Sequence, residues 1–217
     1  VGERLVRAFN EAGVPEDVFM NIFLDHDTTS KLIADGQFDF INFTGSVEGG
    51  RSIERAAAGT FTGVGLELGG KDPGYVMEDA DVDAAVDTLM DGATYNSGQC
   101  CCGIERIYVN EKHYDDFVEK SVKWVSNYKL GNPLDPDTSL GPMANKRFAR
   151  VVREQIAEAV SKGAKTLVDP KLFPADDGGA YIAPQILVDV DHSMSIMNEE
   201  TFGPAVGIMK VKNDAEA

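Results

Sequence analysis

The sequence predicts an α/β protein whose sheets are dominated by parallel strands. Three observations carry the prediction. Apolar segments of strand length alternate along the chain with amphipathic segments of helical period. Glycine, proline and helix-capping Asp or Ser punctuate the boundaries between them. Hydrophobic residues make up 43% of the 217 positions and charged residues 26%, the balance of a chain that folds around a core. This length accommodates one large domain or two small ones.

The elements follow in order. Val1, Leu5, Ala8, Phe9 and Ala12 fall on one helical stripe, with Gly13 as a C-cap and Pro15 beyond it. Residues 18–24 (VFMNIFL) read as a strand, and Asp27 or Thr28 can cap a short helix ending near Gly36. Residues 38–43 (FDFINF) form a second strand. A TGS turn then leads into a helix over about 47–58, and a strand over 61–68 runs up to Gly69-Gly70. Residues 75–77 are strand-like, and Asp79 or Asp81 caps a helix through Ala84, Ala85, Leu89 and Ala93. A strand at 104–109 (IERIYV) precedes a helix over 113–128, a Gly/Pro/Asp-rich loop over 131–142, and a long helix over about 144–162 stopped by Gly163. Strands at 165–168, 181–189 and 205–212 close the series. No strand precedes the first helix, so the sequence reads as starting inside a domain.

Charge and cysteine content narrow the function. The 36 acidic and 20 basic residues give a net charge of −16, which argues against binding nucleic acid or anionic lipid. No apolar run is long enough to span a membrane, and the first residues lack the pattern of a signal peptide. The three cysteines are consecutive, so they do not staple a fold, and the composition suits a reducing cytoplasm. His26, His113 and His192 are isolated, with no metal-ligand spacing, and no metal is expected.

Three segments can carry chemistry. The first, Gly45 to Ser52 (GSVEGGRS), stands between a strand and a helix. It is one residue from a phosphate-binding P-loop, but Arg51 occupies the lysine position, and the two are not interchangeable. A glycine turn feeding a helix N-terminus still presents N–H groups to the pyrophosphate of a dinucleotide. The alternative is a glycine turn with a serine cap and no ligand. The second, Asn96 to Cys102 (NSGQCCC), sets a triple cysteine in a loop, which is hard to explain as core filling and leaves a nucleophilic thiol. The third is Glu67, which alternation places opposite Val64, Leu66 and Leu68 at a strand end. On that segment alone a solvent-facing glutamate is the simpler reading.

Together, FTGS at 43–46, LELGGK at 66–71, GQCCC at 98–102 and EETFGP at 199–204 closely resemble the aldehyde dehydrogenase superfamily, along the whole chain and in the family's order. The resemblance implies part of a Rossmann-type cofactor domain over 1–68 and a catalytic α/β domain, C-terminally incomplete, over 69–217. It implies Cys101 as nucleophile, with Cys100 and Cys102 as bystanders, and Glu67 as general base. Gly45 and Ser46 would lie near the cofactor phosphates, Leu68 and Gly69 would line the cofactor by backbone, Glu200 would hold the nicotinamide ribose and Phe202 would pack near the nicotinamide. The implied reaction is NAD- or NADP-dependent oxidation of a small aldehyde to a carboxylic acid, in an enzyme working as a homodimer or homotetramer. No segment matches the family's oxyanion-stabilising Asn motif, so the resemblance implies little activity for these residues alone. A CoA-acylating semialdehyde dehydrogenase is the alternative within the family, and Glu67 weighs against it. A non-catalytic relative predicts loss of the Cys or the Glu, and both are present.

Overall fold

The computed structural model describes residues 1–217 and divides them into two units, Val1–Leu68 and Gly69–Ala217. In the first unit the expected helical stripe forms α1 (Gly2–Glu11). Next comes α2 (His26–Ala34), whose cap is Asp25 rather than Asp27 or Thr28: its carboxylate accepts from the Thr28 amide at 2.7 Å. β1 (Phe40–Gly45), α3 (Val47–Ala57) and β2 (Gly63–Leu68) make a strand–helix–strand crossover, and β1 pairs with β2 in parallel.

The strand expected at 18–24 is not formed. β1 and β2 are this unit's only paired strands, and the segment has no ladder partner for its backbone groups. Its apolar side chains Val18, Ile22 and Phe23 are accordingly exposed.

The second unit is a five-stranded sheet flanked by helices. Its elements are β3 (Asp72–Val76), α4 (Val82–Thr94), β4 (Ile104–Asn110), α5 (Tyr114–Ser126), α6 (Lys146–Ser161), β5 (Lys165–Thr166), β6 (Gln185–Val188), a short α7 (Ser195–Asn198) and β7 (Ala205–Val211). Strand order is β3-β4-β7-β6-β5. All neighbours pair in parallel except β5, a two-residue antiparallel edge much shorter than the expected 165–168 strand. At the other edge Pro73 is tolerated in β3 because an edge strand can spare an N–H, and the register slips between Asp72 and Pro73.

Asp81 caps α4 by accepting from the Asp83 and Ala84 amides, so the Asp79 alternative falls away. One sheet face packs Val76, Ile107, Val109 and Ile208 against Met90 of α4 and Phe117 of α5, all fully buried. The other face packs Leu187 of β6, with Met194, Ile196 and Met197 of the α7 segment, against Ala149 and Val152 of α6. Each of the Val, Leu, Ile, Met and Phe side chains among them is worth about 1.5–3 kcal/mol of transfer free energy. These two layers fix the strands rigidly enough to aim the loops at their ends.

Candidate active site

In the first unit the parallel register sets Thr44 beside Glu67 and Gly45 beside Leu68, where both strands end. Ser46 follows as the N-cap of α3, its hydroxyl accepting from the Gly49 amide at 3.1 Å. Gly50 lies against the Leu68 side chain, closer than a Cβ would allow, so helix and strand meet backbone to side chain. The carboxyl ends of two parallel strands and a capped helix N-terminus thus gather Gly45, Ser46, Glu67 and Leu68, and Glu67 is exposed. This is the edge at which open α/β sheets bind ligands, and a helix N-terminus suits an anion.

The second unit builds its cluster at the opposite strand ends. β3, β4 and β7 are neighbours running the same way, so the segments that lead into them converge at one edge. Those segments are 69–71, 98–103 and 199–204, three of the four motifs singled out from the sequence. Gly69 lies so close to Glu200 that a Cβ on it would overlap the carboxylate, and one on Gly70 would sit 3.7 Å from the Cys101 carbonyl oxygen. A Cβ on Gly98 would overlap the Gly203 carbonyl.

The cysteine loop is held in a shape few sequences adopt. Asn96, Ser97 and Gly98 have φ of 51°, 58° and 71°; a single Asn or Gly enters the left-handed region readily, but a run of three is uncommon and needs support from tertiary contacts. Those contacts are present. The Ser97 hydroxyl donates to the Gly141 carbonyl at 2.8 Å. Gln99 accepts from the Ala144 amide at 2.7 Å and donates to the Asn96 carbonyl at 3.0 Å. The loop therefore leans on 141–144 on one side and on Gly203 on the other, and presents Cys101 exposed. The sulfurs of Cys100 and Cys102 lie 3.4 Å apart. Their hydrogen bond pushes the Cys102 thiol up, away from the nucleophilic thiolate.

The 199–204 segment is anchored from below. Glu105, buried on β4, accepts from the Thr201 amide at 2.7 Å and the Phe202 amide at 2.8 Å. Lys71 donates to Glu105 and to the Thr201 hydroxyl, both at 2.8 Å. Gln155 of α6 donates to the Glu200 carbonyl at 3.1 Å. Phe202 has φ of 46°. Burial, reinforced by the nearby Glu105 charge, holds the half-buried Glu200 carboxyl above the usual carboxylate range. No group of three or more His, Cys, Asp or Glu side chains gathers as a metal would need.

The model of the aldehyde dehydrogenase family matches residues 1–217. The chain belongs to the aldehyde dehydrogenase family. Among curated relatives, succinate-semialdehyde dehydrogenase (NADP+) of Deinococcus radiodurans is 34% identical over 98% of this chain and 44% of its own length. Lactaldehyde dehydrogenase of Escherichia coli is 38% identical over 92% of this chain and 42% of its own. Two solved structures superpose closely. That of lactaldehyde dehydrogenase from Escherichia coli has a TM-score of 0.89 at 34% identity, covering 97% of this chain and 44% of that one. That of betaine aldehyde dehydrogenase from Staphylococcus aureus in complex with NAD+ has a TM-score of 0.89 at 31% identity, covering 98% and 43%. The chain thus spans less than half the length of these aldehyde dehydrogenases.

Within this aldehyde dehydrogenase fold the second unit brings Cys101, Gly69, Glu200 and Phe202 to one sheet edge, and the first gathers Gly45, Ser46, Glu67 and Leu68. Sequence reasoning missed Lys71, Glu105 and Thr201. A signal was there: alternation along IERIYV puts Glu105 on the face of Ile107 and Val109, both fully buried, and a carboxylate there needs a cation.

Proposed function

We propose that the chain carries the catalytic thiol and the cofactor-holding groups of an enzyme that oxidises a small aldehyde to a carboxylic acid, with NAD or NADP as acceptor. The observation that carries this reading is the convergence of the Gly69, Cys101 and Glu200–Phe202 segments at the amino edge of three parallel strands. It sets an exposed thiol, a carboxylate and an aromatic ring on neighbouring loops.

The residues suit a dinucleotide. Gly45, Ser46 and the α3 N-terminus offer N–H groups to the pyrophosphate. Gly69 has no side chain to displace the Glu200 carboxylate resting on it, which leaves that carboxylate to accept from ribose hydroxyls. Phe202 offers a ring to the nicotinamide, and Leu68 and Gly69 offer backbone. When bound, NAD(P)+ supplies the acceptor for the hydride that leaves the substrate carbon.

The remaining chemistry belongs to the chain. The Cys101 thiolate attacks the aldehyde carbonyl carbon, forming the S–C bond of a thiohemiacetal. The addition leaves the negative charge on the former carbonyl oxygen, and as that alkoxide re-forms the C=O, hydride leaves the carbon and a thioester remains on Cys101. Glu67 takes a proton from water, the resulting hydroxide adds to the thioester, and the C–S bond breaks to release the acid and restore the thiolate. The pairing of Cys100 with Cys102 supports Cys101 as the reacting sulfur. On the same reading the enzyme is a cytoplasmic homodimer or homotetramer. Its three free cysteines accord with a reducing compartment, and no helix of the structure is long and apolar enough to cross a membrane.

Rapid-mixing kinetics on the whole gene product test the proposal. Glu67→Gln is expected to release one equivalent of NAD(P)H per site in a burst and then stall, and Cys101→Ser to release none. Steady turnover by Cys101→Ser overturns the nucleophile. A steady rate unchanged by Glu67→Gln overturns the base, as does acyl transfer to added CoA in preference to water.

A further inference from the structure

The Lys71–Glu105 pair has a consequence beyond the thiol chemistry. The side chains of Lys71 and Glu105 are only 8% and 6% exposed. A buried ion pair is seldom more stabilising than apolar residues of the same shape, because both charges lose their water. Stability alone is therefore a poor account of it, and its hydrogen bonds suggest a better one.

Both Glu105 oxygens are committed to one target. One receives the Lys71 ammonium and the Thr201 amide, the other the Phe202 amide. Two consecutive backbone N–H groups are thus gripped by a single carboxylate, at the point where Phe202 takes up its left-handed φ of 46°. A phenylalanine keeps that conformation only where its surroundings over-determine it. Lys71 closes the grip by donating to the Thr201 hydroxyl, and its own backbone is pinned by Arg106, whose Nε donates to the Lys71 carbonyl at 2.9 Å. The same ammonium is hydrogen-bonded to Glu105 and to the Thr201 hydroxyl, so it compensates Glu105 and is not hydrogen-bonded to the Glu200 carboxylate two residues from Phe202, which accepts from the Gly70 backbone instead.

We propose that Lys71 and Glu105 are positioning residues: a clamp that fixes the Thr201–Phe202 backbone, and through it the Phe202 ring and Glu200 carboxylate, in the geometry that receives the nicotinamide riboside. This rests on the cofactor reading above. Neither residue touches the reacting atoms.

The test uses the whole gene product and two variants. Glu105→Gln keeps the shape and removes the charge. Lys71→Met with Glu105→Leu replaces the pair by apolar side chains of similar volume. Four quantities are read: melting temperature, NADH affinity by fluorescence titration, the KM values for cofactor and aldehyde, and hydrogen exchange of the Thr201 and Phe202 amides in the ligand-free protein. Loss of charge-assisted hydrogen bonds is expected to weaken NADH binding about tenfold or more in both variants. The two amides exchange faster, cofactor KM rises with the dissociation constant, and aldehyde KM stays within about twofold. In the double variant apolar packing offsets the lost ion pair, but the Thr201 and Phe202 amides lose their acceptor, so it is expected to fold and to melt below the wild type.

A double variant that binds NADH as the wild type does overturns the clamp and leaves the proposed function standing. One that fails to fold also overturns it, by showing the pair to be structural. A wild-type enzyme that does not bind NADH overturns the cofactor reading and the purpose of the clamp with it, and that failure is visible before any residue is changed.

Discussion

Gly98→Ala is the sharpest single perturbation of the cysteine loop. Two costs add. At φ of 71° an alanine pays the left-handed penalty of about 1–2 kcal/mol. Its Cβ would also overlap the Gly203 carbonyl group and sit 2.9 Å from the Pro204 nitrogen. These are backbone atoms that cannot rotate aside, and forced overpacking of this kind costs about 1–3 kcal/mol. The sum is about 2–5 kcal/mol, which for a unit of this size lowers the melting temperature by roughly 5–15 °C. Where the loop moves instead of unfolding, Cys101 moves with it. A displacement of about 1 Å at a nucleophile lowers turnover by roughly a hundredfold. The assay is a thermal melt alongside kcat/KM and the rate of Cys101 alkylation by iodoacetamide. The expected result is a lower melting temperature and a kcat/KM reduced about a hundredfold in protein whose Cys101 still alkylates. Wild-type kcat/KM with an unchanged melt would refute the claim that contact between Gly98 and Gly203 sets the loop.

Three further outcomes follow from the same geometry. Gly69→Ala puts a Cβ into the Glu200 carboxylate, a side-chain end that can swing away, so the fold is expected to hold while NADH affinity, read by fluorescence titration, falls about tenfold. Ser97→Ala leaves the Gly141 carbonyl without its donor beside a buried position, and urea unfolding is expected to show a loss of about 1–2 kcal/mol. Glu200 has its carboxyl raised by burial, so the folded state binds the proton more tightly than the unfolded chain and stability falls as pH rises through the raised value. Melting temperatures of Glu200→Gln and wild type, compared from pH 4 to pH 8 (on the order of the carboxylate range and above it), are expected to diverge in favour of the variant as pH rises, and a gap independent of pH contradicts the assignment.

The parts of the fold that follow local rules were legible in the sequence. Strands such as 104–109 and 205–212 are β-branched, apolar and bounded by turn residues, and they form nearly where expected, at Ile104–Asn110 and Ala205–Val211. The long helix is bounded by Asn145 and Gly163 and forms as Lys146–Ser161. What local rules miss is what partners decide. Segment 18–24 has strand composition but no ladder to join. The left-handed run at 96–98 exists because of Gly141, Ala144 and Gly203, which sequence reasoning cannot see. Likewise Lys71, Glu105 and Thr201 meet only because β3, β4 and β7 are neighbours. The four motifs were legible as motifs. Their convergence follows from strand order, which alternation along the chain does not encode.

Which sulfur carries the substrate decides whether Cys101 is the nucleophile. In Glu67→Gln enzyme, mixed with aldehyde and NAD(P)+ and quenched in acid, peptide mass spectrometry should find the acyl group on Cys101. The adduct should persist in Cys100→Ser and Cys102→Ser and vanish in Cys101→Ser. Acyl mass on Cys100 or Cys102, or acid formation with no adduct on any of the three, would contradict it.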